Sequence, residues 1–412
     1  MGGIGKINTF KAFRSRNYAL YFTGRSVSQL GTWMQRTTVV WVIYTLTHSS
    51  FMVGVTLFAE QSPSFLLSVI GGVASDRYNR YKIINITQIV SMIQATLLAV
   101  LIILGHYKVW QILVLSVILG IVNAFDIPAR QTMVNELVQD KADLPNAISL
   151  NSAMASMSRL FGPAIAGIVF DKFGAQICFL ANAASFGAVI ISFALMKLPP
   201  YQSFHKKQKI ITEFVEGFTY LKKTPSIGLV VLMLTCISFF ILPFDTLLPV
   251  FAHQIFKGNA ATFGYMRSFL GLGAVCGTIF LASLKHGKTN HRKILIYFSI
   301  VLSIGLMCFS HATKFALAMV FTVITGIGSV AQFTTTNIIV QSESDDRMRG
   351  RAISILLMAM FGMLPLGSLL VGIVSKKVSA PNIIFCQGII ALIIAIVFYN
   401  FLKKNKQIAD NR

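Results

Sequence analysis

Apolar residues in this chain run in stretches longer than the core elements of a soluble domain require. A helix needs about 20 largely apolar residues to cross the hydrocarbon of a bilayer. Six stretches in the first half meet that length, at Tyr18–Thr45, Phe51–Ala74, Ile83–Leu104, Val109–Val134, Leu144–Phe170 and Ile177–Met196. After a polar segment from Leu198 to Lys223, six more follow at Ile227–Phe251, Ala261–Leu284, Ile294–Ser310, Phe315–Val340, Ala352–Val374 and Ile383–Leu402. The pattern predicts an all-α membrane protein of twelve spanning helices. The basic stretch from Met1 to Arg16 precedes an apolar run, as in a signal peptide. Arg25 and Arg36 interrupt that run and no small-residue cleavage site follows, so it is expected to stay as the first helix.

Composition agrees. Hydrophobic residues make up 55% of the 412 positions and charged residues 12%, about half the charged share of a soluble domain. The formal charge of +22 sits in short clusters between apolar runs, not on one domain or stripe, which argues against nucleic-acid binding. Cys178, Cys236, Cys276, Cys308 and Cys386 all lie inside apolar stretches without the close pairing of a zinc site or disulfide scaffold. They read as small core residues. The histidines are scattered over loops and helix ends without a metal-binding spacing, so neither a metal site nor an enzyme is expected.

Lys and Arg outside the spans fall mostly on one side. Placing the N-terminus in the cytoplasm leaves only Lys108, Lys172, Lys257, Lys314, Lys376 and Lys377 on the opposite side. By the positive-inside rule both termini are then cytoplasmic. The halves also resemble each other: "GIVNAFDIPARQTMVNELVQ" from Gly120 aligns with "GIGSVAQFTTTNIIVQSESD" from Gly326, and "GIV" at Gly167 recurs at Gly372. A duplicated six-helix unit follows, with an N-terminal bundle over 1–200, a basic amphipathic linker over 201–224 and a C-terminal bundle over 225–412.

Between the second and third spans the chain reads "GGVASDRYNRYK", from Gly71 to Lys82. This resembles the loop motif of the major facilitator superfamily, G-x-L-A-D-R-x-G-R-K, with Ala74 in place of its Leu and Asn79 in place of its second Gly. Asn tolerates a left-handed turn nearly as well as Gly, so a turn is expected there. "AFDIPARQTMVNELV" from Ala124, "DLPNAISLNS" from Asp143, "RLFGPAIAG" from Arg159 and "DDRMRGRAISI" from Asp345 resemble one branch of that superfamily. It contains the enterobactin exporter and related drug and macrolide efflux proteins, and is described as transmembrane secretion effector-like. The resemblance implies two six-helix bundles related by a pseudo-two-fold axis. It further implies alternating access and multi-pass insertion in the plasma (inner) membrane. Efflux would be driven by a proton gradient with no cofactor, with the small-molecule cargo, protons and lipid as partners of a monomer.

It also implies gating residues. Gly72, Asp76, Arg77 and Arg80 fall on the loop motif, and Arg80 is positioned to pair with Asp126 low on the fourth helix. Asp126 and Arg130, at i and i+4, can equally pair with each other. Gly162 and Pro163 fall on the fifth-helix motif of antiporters, G-x-x-x-G-P-x-x-x-G, with Ser158 replacing its first Gly.

Ionisable residues inside the bilayer face a cavity or a partner. Arg25, Gln29, Thr32 and Arg36 recur at offsets of four, seven and eleven, which at about 100° per residue is one narrow sector of a helix. With Arg159 and Arg267 in later spans, Arg25, Gln29 and Arg36 form the candidate cargo-binding set. The arginine excess points to an anionic or zwitterionic cargo, siderophore-like or drug-like. Glu60 and Asp245 are the candidate proton carriers. Asp245 has two possible partners, Arg36 across the helices that are symmetry-related in this superfamily, or Arg267 on the next helix. An importer or a lysophospholipid flippase on the same fold are the alternatives.

Overall fold

The computed structural model describes residues 10–197, 210–284, 290–345 and 348–410, without the side chains of Asp76, Asn135, 210–214 and 402–410. The first half holds α1 (Arg16–Thr47), α2 (Ser50–Arg77), α3 (Arg80–Leu104), α4 (Val109–Leu137), α5 (Leu144–Phe173) and α6 (Ala175–Ala194). A short amphipathic helix, α7 (Ile210–Lys223), leads to α8 (Pro225–Phe240) and α9 (Leu248–Val250), then α10 (Ala260–Ser283), α11 (His291–Ser310), α12 (Phe315–Glu343), α13 (Arg349–Val374) and α14 (Ala380–Asp410). Eleven helical stretches, with Pro225–Ile255 counted as one, are long and apolar enough to cross a bilayer. At 32 residues, α1 has the length, but its arginines lower its hydropathy. With α1 the described residues hold twelve spanning helices and the fold is all-α, as the resemblance implies.

Two local departures from expectation have clear causes. The seventh span breaks after Phe240 into a 3-10 segment (Leu242–Leu247), the single turn α9 and a π-helical turn (Phe251–Ile255). Pro243 and Pro249 stand near the starts of the 3-10 segment and of α9, where a missing N–H and a fixed φ suit a new start better than continuation. The break leaves Asp245 on an interrupted helix. Asn79 does not form a left-handed turn: it is extended, with φ −62° and ψ 111°, and its side chain accepts from the Tyr81 and Lys82 amides as the N-cap of α3. A capping side chain thus does the work expected of the motif glycine.

The chain forms two compact units, Met1–Val39 with Pro63–Lys206, and Val40–Ser62 with Lys207–Arg412. In the first, α3 packs on α4 and α6; in the second, α11 packs on α12 and α14. This is the same pairing of third, fourth and sixth helices that the sequence repeat predicts. The second unit takes in the end of α1 and the start of α2. There Gly372 of α13 lies against Phe51, and Gly54 of α2 against the carbonyl of Ser368. Glycine on both partners is what lets the backbones approach this closely.

Glycines on α10 and α12 serve the same end: a Cβ on Gly273 would collide with the Val323 carbonyl, and one on Gly326 with the Leu270 carbonyl. Gly72 is different, because among the described residues nothing beyond its own helix backbone and chain neighbours lies within 4 Å of the place a Cβ would take. Gly273→Leu is therefore expected to lower stability by about 1–3 kcal/mol through overpacking, whereas Gly72→Ala should leave it unchanged or raise it slightly. Thermal unfolding of the purified variants in detergent measures both, and equal melting for Gly273→Leu and parent would contradict the packing account.

Candidate functional site

The first unit builds its site around α1, which carries two polar stripes. The packed stripe runs through Gly24, Ser28, Gly31 and Gln35. Gly24 lies against Ser192, and Gly31 against Asn182 and Ser185 of α6. Buried Gln35 donates to Gln94 Oε1 at 2.9 Å and accepts from Asn182 Nδ2 at 2.8 Å, while Gln94 donates to the Leu115 carbonyl at 3.1 Å. This chain of amides ties α1, α3, α4 and α6 together. Inside a bilayer, side-chain hydrogen bonds of this kind add to packing where apolar burial gives helices no reason to associate. The packed stripe fixes the rotation of α1 and so the direction of the other.

That other stripe is the one predicted to face water. Arg25, Gln29, Thr32 and Arg36 are all half-buried. Between its turns stands Trp33, and the guanidinium of Arg36 lies 5.8 Å from its ring centre. The guanidinium of Arg159 on α5 lies 5.4 Å from the same ring. The two arginines share one aromatic ring, a cation–π arrangement that is stronger away from water. Arg159 therefore stands on the α1 side of α5. Gly162, one turn on, makes this possible, because a Cβ there would sit 2.5 Å from Trp33 Cβ. Pro163 is buried within α5 beside it.

Deeper in the same unit, Asp126 and Arg130 of α4 are 5% and 4% exposed, too buried for either charge to stand alone. Arg130 Nε donates to Asp126 Oδ2 at 2.5 Å. Asp126 Oδ1 accepts from Thr87 Oγ1 at 2.8 Å and Gln88 Nε2 at 3.1 Å. The local pair is thus the one formed. Arg25 lies near this pair. Arg80 pairs instead with Glu136, near the end of α4, and donates Nε to the Ser75 carbonyl at 3.0 Å. Arg77 is exposed in the last turn of α2. Asp76 belongs to that turn, and its side chain lies outside the described residues.

In the second unit, Asp245 accepts from Arg267 Nη2 at 2.9 Å. Arg267 on the next helix, one of the two partners the sequence offers, thus engages it. Asp245 Oδ1 and Arg267 Nη1 are buried without a hydrogen bond among the described residues. The Arg267 guanidinium lies 5.7 Å from the Phe263 ring centre, and Trp41 stacks on Phe263 at 5.6 Å. Glu60 is buried on α2 in this unit.

Thr87, Gln88, Gln94, Gln35, Asn182, Trp33 and Glu136 were absent from the sequence-derived set. A signal for three of them was available: Thr87, Gln88 and Gln94 recur with Ser91 at helical spacing on largely apolar α3, and all four are buried. Among the described residues no group of three or more metal-ligating side chains comes together.

The Asp126 cluster generates a test. Asp126→Asn leaves Arg130 charged and buried, and is expected to cost about 3–5 kcal/mol, whereas the double change with Arg130→Gln should recover a large part of it. A double-mutant cycle on thermal unfolding reads the coupling; additive losses would contradict it.

Comparison with known proteins places this geometry. The chain is 27% identical over 396 residues to the staphyloferrin A transporter of Staphylococcus aureus, covering 94% of this chain and 96% of that protein. It is 20% identical over 385 residues to macrolide efflux protein A of Streptococcus pyogenes, covering 91% and 93%. Its fold matches the crystal structure of nucleoside transporter NupG with a TM-score of 0.72 at 12% identity, over 94% of this chain and 99% of that one. The family model described as "Transmembrane secretion effector" matches residues 7–411. With twelve spanning helices and charged groups held in their interior, the chain belongs to the transmembrane secretion effector family, and is a secondary-active major facilitator superfamily transporter that moves a small molecule across the membrane.

Proposed function

We propose that this transporter exports a small anionic or zwitterionic molecule, siderophore-like or drug-like, in exchange for protons by alternating access. The observation that carries this reading is the Arg25, Gln29, Thr32 and Arg36 stripe of α1, half-buried and joined through Trp33 to Arg159. Away from helix ends the spans hold Arg25, Arg36, Arg130, Arg159 and Arg267 against Glu60, Asp126 and Asp245. An interior with that balance attracts anions and repels lipophilic cations. Arg forks bind carboxylates through two parallel hydrogen bonds. The staphyloferrin A transporter and the macrolide efflux protein among the relatives support a cargo of siderophore or drug type and the outward direction.

In this reading Arg25, Gln29, Arg36 and Arg159 hold the cargo. Arg267 is assigned to the cargo as well, its Nη1 becoming available when proton binding to Asp245 loosens their ion pair, and Glu60 is the second proton carrier. Gly72, Asp76, Arg77, Arg80, Asp126 and Arg130 form the gate at the end bearing the basic loops, which faces the cytoplasm along with both termini. The open space at Gly72 is filled only when that gate changes state. Gly162 and Pro163 keep α5 against Trp33 so that the outward path does not leak.

Comparing solutes retained by a deletion strain with those in its medium, under iron-replete and iron-starved growth, tests direction and cargo together. The account expects an anionic or zwitterionic solute retained inside and depleted outside. Arg25→Gln and Arg36→Gln should each cut its export at low cargo concentration about tenfold or more, the worth of one charged hydrogen bond. Glu60→Gln and Asp245→Asn should abolish its dependence on the pH gradient while leaving binding. A solute depleted inside the deletion strain would instead mark an importer, and a cationic one would remove the arginines from the site.

A further inference from the structure

α7 has two apolar faces, and the fold covers one of them. Gly217, Tyr220 and Leu221 dock on the second unit. A Cβ on Gly217 would lie 2.9 Å from Ile355 and 3.1 Å from Arg351, Leu221 is buried with Ile227, Ile355 and Leu356, and Tyr220 Oη accepts from the Asp345 amide at 3.1 Å. Glu216 adds an ion pair with Arg351. These contacts hold α7 where α8 begins, α12 ends and α13 begins, which is a membrane boundary in a chain whose other helices span.

The second face is uncovered. Val215 is 56% and Phe218 60% exposed. At about 100° per residue, Phe218, Lys222 and Val215 lie about 100–160° round the helix from Gly217. Lys222 and Lys223 are exposed beside them, and Lys206, Lys207 and Lys209 precede the helix in sequence. The one described carboxylate on α7, Glu216, is engaged by Arg351. Apolar side chains flanked by lysines at a membrane boundary fit the acyl–headgroup region, with ammonium groups reaching the phosphates.

We propose that α7 is an interfacial helix that binds anionic phospholipid. Phe218 and Val215 enter the headgroup boundary, and Lys222 and Lys223 select negative headgroups. Through Gly217 and the Glu216–Arg351 pair, lipid charge then acts on the first turns of α13. This rests on the membrane-spanning fold and not on the direction or nature of the cargo.

A nitroxide at Phe218→Cys, in the full chain with its five cysteines replaced by alanine or serine, tests the proposal by relative accessibility to oxygen and to a water-soluble nickel chelate. The carriers are nanodiscs of phosphatidylcholine, alone or with added phosphatidylglycerol. The expected result is oxygen exposure and nickel shielding that both increase with phosphatidylglycerol, a shift lost in Lys222→Gln/Lys223→Gln. Val215→Cys should report the same shift, which guards against a local fault at one site. A label open to nickel in both lipids, equal depth in both, or a label shielded from both reagents by protein would each overturn the proposal.

Discussion

A charged side chain in the bilayer interior is tolerated only when something other than lipid surrounds it, and most of this structure follows from how α1 meets that constraint. Its packed stripe of glycine, serine and glutamine is locked by amide hydrogen bonds to α3 and α6. That lock sets the rotation of α1, and rotation alone decides that Arg25 and Arg36, each one residue on from the packed stripe, stand about 100° round the helix from it. The surroundings then serve the arginines. Trp33 offers its ring to Arg36 and Arg159, Gly162 allows α5 close enough for that, and Asp126 lies near Arg25 while holding Arg130.

The second half inherits the scaffold and neutralises the charge. By the repeat register, Gln332 occupies on α12 the place of Asp126 on α4. It is 1% exposed and bonds α11 through the Leu295 carbonyl and Ser299, as Asp126 bonds α3 through Thr87 and Gln88. The anchoring contact survives without an ion. The second unit instead places one of its carboxylates, Asp245, on a helix broken by prolines, where backbone groups freed from the regular ladder are compatible with a site that changes state. Buried ion pairs are costly to form and more costly to break singly, so a transporter can use them as switches when a proton replaces one partner.

The fold was legible in the sequence because its signals are long-range averages: apolar length and the repeat each integrate over many residues. The α1 stripe was legible for the same reason, since four polar residues at helical spacing leave little freedom. What was not legible depended on which helix lies opposite. The choice between Arg80 and Arg130 as partner of Asp126 rests on side-chain reach across packed helices, which spacing along one helix does not encode. Asn79 shows the converse limit: the substitution was visible, but its reading as a left-handed turn missed that asparagine also caps helices.

The account's central claim is the orientation of α1, and cysteine scanning tests it most directly. In a chain with its native cysteines replaced, Arg25→Cys, Gln29→Cys, Thr32→Cys and Arg36→Cys should react with a small water-soluble maleimide in membrane vesicles. Ser28→Cys and Gln35→Cys on the packed stripe, and Val27→Cys on the exposed apolar side, should not. Reaction at Ser28 or Gln35 with none at Arg25 and Arg36 would contradict the claim.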